Sequence, residues 1–193
     1  MIREFISFSR PAFRRPALVL LGALALPILV VDAAQAQRKP AASQAEAAKP
    51  ALVGQFGDWG AFATPQAKAR TCYALSQPKT RAPGNLNRDP AYVFVSHRPA
   101  EKVRNEVAII VGFDVKEDSK PTAEIGDEEF ALVAKGPNLW LRNATEEGKF
   151  ITAMRKGARM TIKARSTRNN LTTDSYSLSG VSQALDRATK ECP

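Results

Sequence analysis

Few side chains in this chain could do chemistry. His97 is its one histidine, and it stands in Ser96-His97-Arg98 with Glu101 close by in sequence. A hydrolase needs a nucleophile, a base and an orienting acid that converge, with donors aimed at the developing oxyanion, and no nucleophile elbow accompanies this histidine. A histidine at the end of a strand is far more often a surface or hydrogen-bonding residue. One imidazole among scattered carboxylates cannot make a conventional transition-metal site, so no metal and no cofactor are expected. The remaining catalytic reading is an enzyme of the periplasm acting on an anionic substrate through His97 and nearby arginines.

Two groups of cations are better candidates for binding. Arg98, Lys102 and Arg104 alternate with Glu101 and Glu106 in the densest charged segment of the folded part. Arginine forks placed there can grip carboxylates or phosphates of a partner. The competing account is a self-satisfied network, Arg98 with Glu101 and Arg104 with Glu106, that shapes the loop and adds little energy. Arg159, Lys163 and Arg165 form the second group, flanked by Lys156 and Arg168. They alternate with Met160, Ile162 and Ala164, so on a strand they face away from the core together. A nucleic-acid reader would interleave aromatic residues for base stacking, and this stretch has none before Tyr176; nucleic acid is therefore disfavoured against an anionic surface or a protein. Trp59 is expected in the core, whereas Trp140 can lie on either side of its strand.

The first 36 residues read as an export signal. Arg3, Arg10, Arg14 and Arg15 precede an apolar run from Ala17 to Val31, and Ala34-Gln35-Ala36 suits signal peptidase, with Gln37 the expected new N-terminus. The run is shorter than the roughly twenty residues that cross a bilayer and contains Pro27, so no membrane anchor should persist after cleavage. Arg14-Arg15 raises twin-arginine export, but Pro16 follows directly and general secretion fits better. Losing four arginines and two acids lowers the formal charge from +9 to +7. A basic protein of the periplasm or the exterior would meet anionic partners: an envelope or host-surface protein, or an anionic surface. Cys72 and Cys192 are the only two cysteines. In an oxidising compartment such a pair closes, here tying the C-terminus to the fold.

Residues 37–53 are rich in Ala, Gln and Lys with almost no large apolar side chain and read as a flexible linker. From residue 54 to 193, short apolar runs separated by turn residues imply one domain of antiparallel strands, a β-sandwich or barrel. Strands are expected over 56–62, 70–77, 91–98, 103–113, 121–125, 128–134 and 139–142, with a long loop from Pro78 to Pro90 and Gly112 a possible bulge. Both faces of 91–95 are apolar, the mark of a central strand. A helix follows over 146–156, capped by Thr145 and stopped by Gly157. A hairpin then turns at 168–170, so that Met160 and Ile162 meet Tyr176 and Leu178. Val181, Ala184, Leu185 and Ala188 fall at helical spacing before Cys192.

Several of these segments resemble one family. Gly57-Asp58-Trp59, Cys72-Tyr73-Ala74-Leu75, Ala91 to Val95, the run Arg98-Pro99-Ala100-Glu101-Lys102-Val103-Arg104-Asn105-Glu106-Val107, Met154 to Gly157 and Thr173 to Gly180 are similar to those of invasion-associated locus B proteins. The resemblance spans residues 54–193, and the ten-residue run is its most specific part. It implies an exported bacterial protein with an immunoglobulin-like antiparallel β-sandwich, one or two short accessory helices and no established enzymatic activity. The family name records an association with host-cell invasion, yet relatives in non-pathogenic bacteria make an envelope housekeeping role equally well founded. Many members carry a cysteine four residues after the tryptophan of the Gly-Asp-Trp motif; here that position is Ala63. The family supplies no catalytic residues, and none is assigned. The expected function is non-enzymatic binding at the envelope through basic loops. A third class, a chaperone or assembly factor that accepts a strand at a sheet edge, would instead bind extended apolar peptides.

Overall fold

The computed structural model describes residues 49–65 and 69–193. The expected export signal, 1–36, lies outside the described residues, as does most of the expected linker, 37–53. Alternation of buried and half-exposed side chains builds most of the strands. In chain order these are β1 (Ala51–Phe56), β2 (Trp59–Ala63), β3 (Cys72–Ser76), β4 (Thr80–Ala82), β5 (Tyr92–Arg98) and β6 (Val103–Ile110). There follow β7 (Thr122–Ile125), β8 (Glu128–Ala131), β9 (Val133–Lys135), β10 (Asn138–Trp140), helix α1 (Ala144–Lys156), β11 (Arg159–Arg165), β12 (Leu171–Ser177) and helix α2 (Val181–Glu191).

The strands form two antiparallel sheets. One has seven strands in the order β1-β2-β3-β5-β6-β10-β9, the other five in the order β4-β12-β11-β7-β8. The molecule is thus the mainly β sandwich that was expected, with two accessory helices. Val93, Val95, Val107 and Ile109 of the larger sheet share one buried cluster with Ala123, Ile125, Met160 and Ile162 of the smaller. Helix α2 lies against β1, β2 and β3. Ala61, Ala63 and Ala74 are fully or almost fully buried there, and such small side chains let the buried Ala184, Leu185 and Ala188 approach closely. Helix α1 closes another side. The ring of its Phe150 meets Phe130 edge-on, with centroids 5.0 Å apart, and Glu147 Oε1 accepts the Val107 N–H at 3.2 Å. The inner face of the larger sheet is therefore covered by strands and helices, and among the described residues its outer face carries neither.

The Cys72–Cys192 disulfide is formed, with Cα atoms 5.8 Å apart and 120 residues between the two in sequence. With Ala63 and Ala188 it makes a small cluster of its own. Among the described residues no helix is long and apolar enough to cross a membrane.

Six local differences separate the structure from these expectations. Residues 56–62 form a hairpin and not one strand, because Gly57 takes a left-handed φ of 53° and turns the chain. Pairing starts at Ala51, inside the stretch expected as linker, since Ala51 finds Ala63 as a partner. The 78–90 loop contains β4, an edge strand placed between Pro78 and Pro83. The expected strand 128–134 breaks at the buried Leu132, so that β8 belongs to the smaller sheet and β9 to the larger. Asn143, and not Thr145, caps α1: its Oδ1 accepts the Glu146 N–H at 3.0 Å. Gly112, with φ of 76°, lies just beyond β6 and not within it.

Candidate binding surfaces

The Arg98 segment is the tip of the β5–β6 hairpin. A single 3-10 turn over Pro99–Glu101 is followed by Lys102 in a left-handed conformation, and the strand register shifts between Ser96 and Arg98. Arg98 is fully engaged within the tip. Its Nη1 and Nη2 donate to the two carboxylate oxygens of Glu106 at 2.6 and 3.1 Å, and its Nε donates to Glu101 at 2.8 Å. These acids hold the guanidinium charge more firmly than usual, Glu106 first. One arginine thus takes both acids, and Lys102 and Arg104 are exposed with no ion-pair partner among the described residues.

Arg159, Lys163 and Arg165 share the outer face of β11, as their spacing predicts. They are not equally free. Lys163 pairs with Glu124 on β7, and Arg165 Nη1 donates to the Asn169 carbonyl at 3.0 Å; only Arg159 keeps an exposed head without a partner among the described residues. The same face carries Thr161, Thr173, Ser175 and Thr122 at paired positions, so this side of the sandwich is hydroxylic and hydrated.

His97 faces the interior at 2 % exposure. Its Nδ1 accepts the Asn105 N–H at 3.4 Å. Its Nε2 is 3.3 Å from Thr189 Oγ1, whose own hydroxyl donates to the Leu185 carbonyl at 2.9 Å. The proton of the neutral ring must therefore sit on Nε2. Burial, and then the charge of Arg104, lower its pKa below the ordinary 6.5. Both nitrogens are occupied, Nδ1 joining β5 to Asn105 of β6 and Nε2 joining it to Thr189 of α2, which is a structural role.

Sequence reasoning missed the outer face of the seven-stranded sheet. Residues paired across antiparallel strands share a face, and the register aligns Leu52 with Phe62, Phe62 with Tyr73, Leu75 with Phe94, and Tyr92 with Ile110. It continues through Ala108 to Trp140 and from there to Val133. Phe62 and Tyr73 stack, Tyr73 and Phe94 are tilted with centroids 5.7 Å apart, and Phe94 and Tyr92 are 5.9 Å apart. Leu52 and Val133, at the two edges, are 54 % and 49 % exposed. Six inter-strand spacings of about 4.8 Å make this an apolar band about 29 Å wide. Singly exposed apolar residues are ordinary, whereas a continuous band marks an interaction surface. At the β2–β3 end, Phe62 and Leu75 run into an open depression of about 430 Å³ with Gln55, Gln77 and Lys79 at its rim. Trp59 is inside as expected, its Nε1 donating to the Ser177 carbonyl at 2.9 Å, while Trp140 belongs to the outer band.

The family model for invasion associated locus B (IalB) protein matches residues 59–189. The chain belongs to the IalB family. That match runs from the buried Trp59 of β2 to Thr189 of α2, the residue against His97, and so takes in every strand of this IalB domain but β1, all of α1 and most of α2. It includes the hairpin tip, the hydroxylic face and nearly all of the apolar band. No curated protein and no solved structure matches the chain.

Proposed function

We propose that this IalB-family protein is exported to the cell envelope and acts there as a non-enzymatic binding module. Its docking surface is the outer face of the seven-stranded sheet, and its partner is a protein with an apolar patch bordered by acidic groups. The observation that carries this reading is the row Phe62, Tyr73, Phe94 and Tyr92 on a face that no element of the described residues covers. Aromatic side chains supply large contact area at small entropic cost and are enriched at interface centres. The basic character of the chain, +9 formally and +7 once residues 1–36 are removed, favours an acidic partner, and Lys102 and Arg104 at the tip of the same hairpin would steer its approach. The buried, doubly bonded His97 supports a structural over a catalytic role.

Crosslinking capture of partners in living cells tests this reading. Phe94→Glu places a charge at the centre of the band, and Lys102→Glu with Arg104→Glu reverses the tip. Loss of one captured species from Phe94→Glu, with melting unchanged, is the expected result. Capture of the same species by both variants at wild-type yield overturns it. Export is checked by N-terminal sequencing of the protein from the envelope fraction, which should begin at Gln37; an intact Met1 in the cytosolic fraction would refute it.

A further inference from the structure

A second site lies at the end of the sandwich where the 83–90 loop crosses the end of the smaller sheet, and its chemistry starts with a buried carboxylate. Asp174, on the inner face of β12, is 2 % exposed and is held by two arginines: Arg88 Nη1 donates to Oδ1 at 2.8 Å and Arg81 Nε to Oδ2 at 3.4 Å. All three nitrogens of Arg81 are engaged, since its Nη1 and Nη2 also donate to the carbonyls of Asp89 and Val111 at 2.8 and 2.9 Å. Arg88 is not. Its side chain is only 5 % exposed, and the Nη1 contact is its one hydrogen bond among the described residues. Two guanidiniums and one carboxylate leave one surplus positive charge, and the nitrogens without any partner among the described residues, Nε and Nη2, belong to Arg88.

Arg88 borders a cavity of about 340 Å³ whose walls include Asn87, Asn170, Arg168, Asp114 and Phe113. Ligand pockets run from about 300 to 1,000 Å³, so this one admits a ligand the size of a single sugar ring. Its loop is held in place by Gly112: a Cβ there would come within 2.1 Å of the Asp89 carbonyl oxygen, and the Asp89 N–H donates to the Gly112 carbonyl at 3.0 Å. The position is closed to any other residue.

We infer that this cavity binds a hydroxylated carboxylate of monosaccharide size, such as a uronic acid. A buried guanidinium with free donors suits a planar carboxylate, which it can engage through two parallel hydrogen bonds. The amides of Asn87 and Asn170 each offer donors and an acceptor to sugar hydroxyls, and Phe113 offers an apolar wall to the C–H face of a ring. Asp114 selects between anions. A hydroxyl can donate to it, whereas a doubly charged phosphate would be repelled, so the carboxylate is preferred over a sugar phosphate.

Isothermal titration of the purified protein with D-glucuronate, D-glucose and D-glucose 6-phosphate is the test. Glucuronate should bind saturably, with glucose and glucose 6-phosphate each at least about tenfold weaker, the difference one good charged contact supplies. Asn87→Leu and Arg168→Ala alter exposed lining residues and should weaken glucuronate about fivefold with unchanged melting. Arg88→Lys keeps the charge against Asp174 but loses the fork, and should weaken it further. Asp114→Asn should narrow the gap between glucuronate and glucose 6-phosphate. Absence of glucuronate binding, equal binding of glucose, or full affinity in both Asn87→Leu and Arg168→Ala would overturn the assignment. Phe94→Glu, on the other sheet, should leave this titration unchanged, so the two sites stand or fall separately.

Discussion

Phe62 and Tyr73 stack across the β2–β3 pair with ring centroids 5.3 Å apart and planes only 13° from parallel. Both rings lie on the outside of a sheet whose inside is already filled, so they pack against each other and against neighbours on that face, Phe94 beside Tyr73 among them, and not against the core. Removing one should therefore be cheap. Phe62→Ala is expected to lower stability by about 1 kcal/mol, the scale of one aromatic pair, as read from urea unfolding. A loss of about 3 kcal/mol or more, typical of a core phenylalanine, would mean that the band is already covered in solution.

Asp174 should behave in the opposite way. Asp174→Ala leaves Arg81 and Arg88 facing each other without a counter-charge, and breaking a buried pair costs about 3–5 kcal/mol. The Tyr176 hydroxyl lies buried nearby with no hydrogen-bond partner among the described residues, and burial and then the charge of Asp174 raise its pKa well above 10.0. Tyr176→Phe deletes an unsatisfied donor and should be neutral or slightly stabilising in the same assay. A destabilisation of 2 kcal/mol or more would reveal a partner for that hydroxyl.

His97 predicts an acid-sensitive fold. Its folded pKa lies below the ordinary 6.5, so between the two values the unfolded chain binds the proton and the native ring does not. Its stabilising contribution is complete above 6.5 and is lost as pH falls below that value towards the folded pKa. Protonating Nδ1 would also turn an N–H against the Asn105 N–H. His97→Gln should flatten the fall in melting temperature below pH 6.5; a slope identical to wild type would show that other groups cause it.

Breaking the disulfide should be expensive. It closes a loop of about 120 residues, for which chain entropy gives a ceiling of about 5 kcal/mol. Cys72→Ala with Cys192→Ala is expected to lose several kcal/mol by calorimetry, and the double change should loosen α2 first in hydrogen exchange. Uniform exchange across the domain would argue against a bridge that pins one element.

The sequence patterns that proved legible were the local and periodic ones. Val181, Ala184, Leu185 and Ala188 are all buried on α2, and β5 is the middle strand of its sheet. The apolar residues on both sides of β5 were correctly read as a central strand, but centrality within a sheet does not require burial on both faces. Val93 and Val95 are buried while Tyr92 and Phe94 remain partly exposed, and only the register with β2, β3 and β10 joins them into one surface. The signal was in the bulky outward positions Phe62, Tyr73 and Leu75, alternating with small inward ones such as Ala61 and Ala74. The Arg98 tip was legible as a self-paired network, but its partner choice was not: the shift between Ser96 and Arg98 brings Glu106, and not only Glu101, to Arg98. The Arg81–Asp174–Arg88 cluster left no local pattern, because Asp174 is 93 and 86 residues from the two arginines it joins.

The register around the disulfide has a mechanical consequence. Ala51 pairs with Ala63, Ala63 with Cys72, and Cys72 is bonded to Cys192, so the first strand and the last residues leave the domain from one corner. A pull applied between Ala51 and Pro193 follows the backbone to Cys72 and then crosses the sulfur bridge, and the backbone between the two cysteines carries none of the load. The seven residues of β5, about 23 Å of strand, separate that corner, where His97 pairs with Cys72, from the end that holds the 83–90 loop and its cavity. Tension between Ala51 and Pro193 would therefore leave the far end of the domain, with its cavity, unloaded.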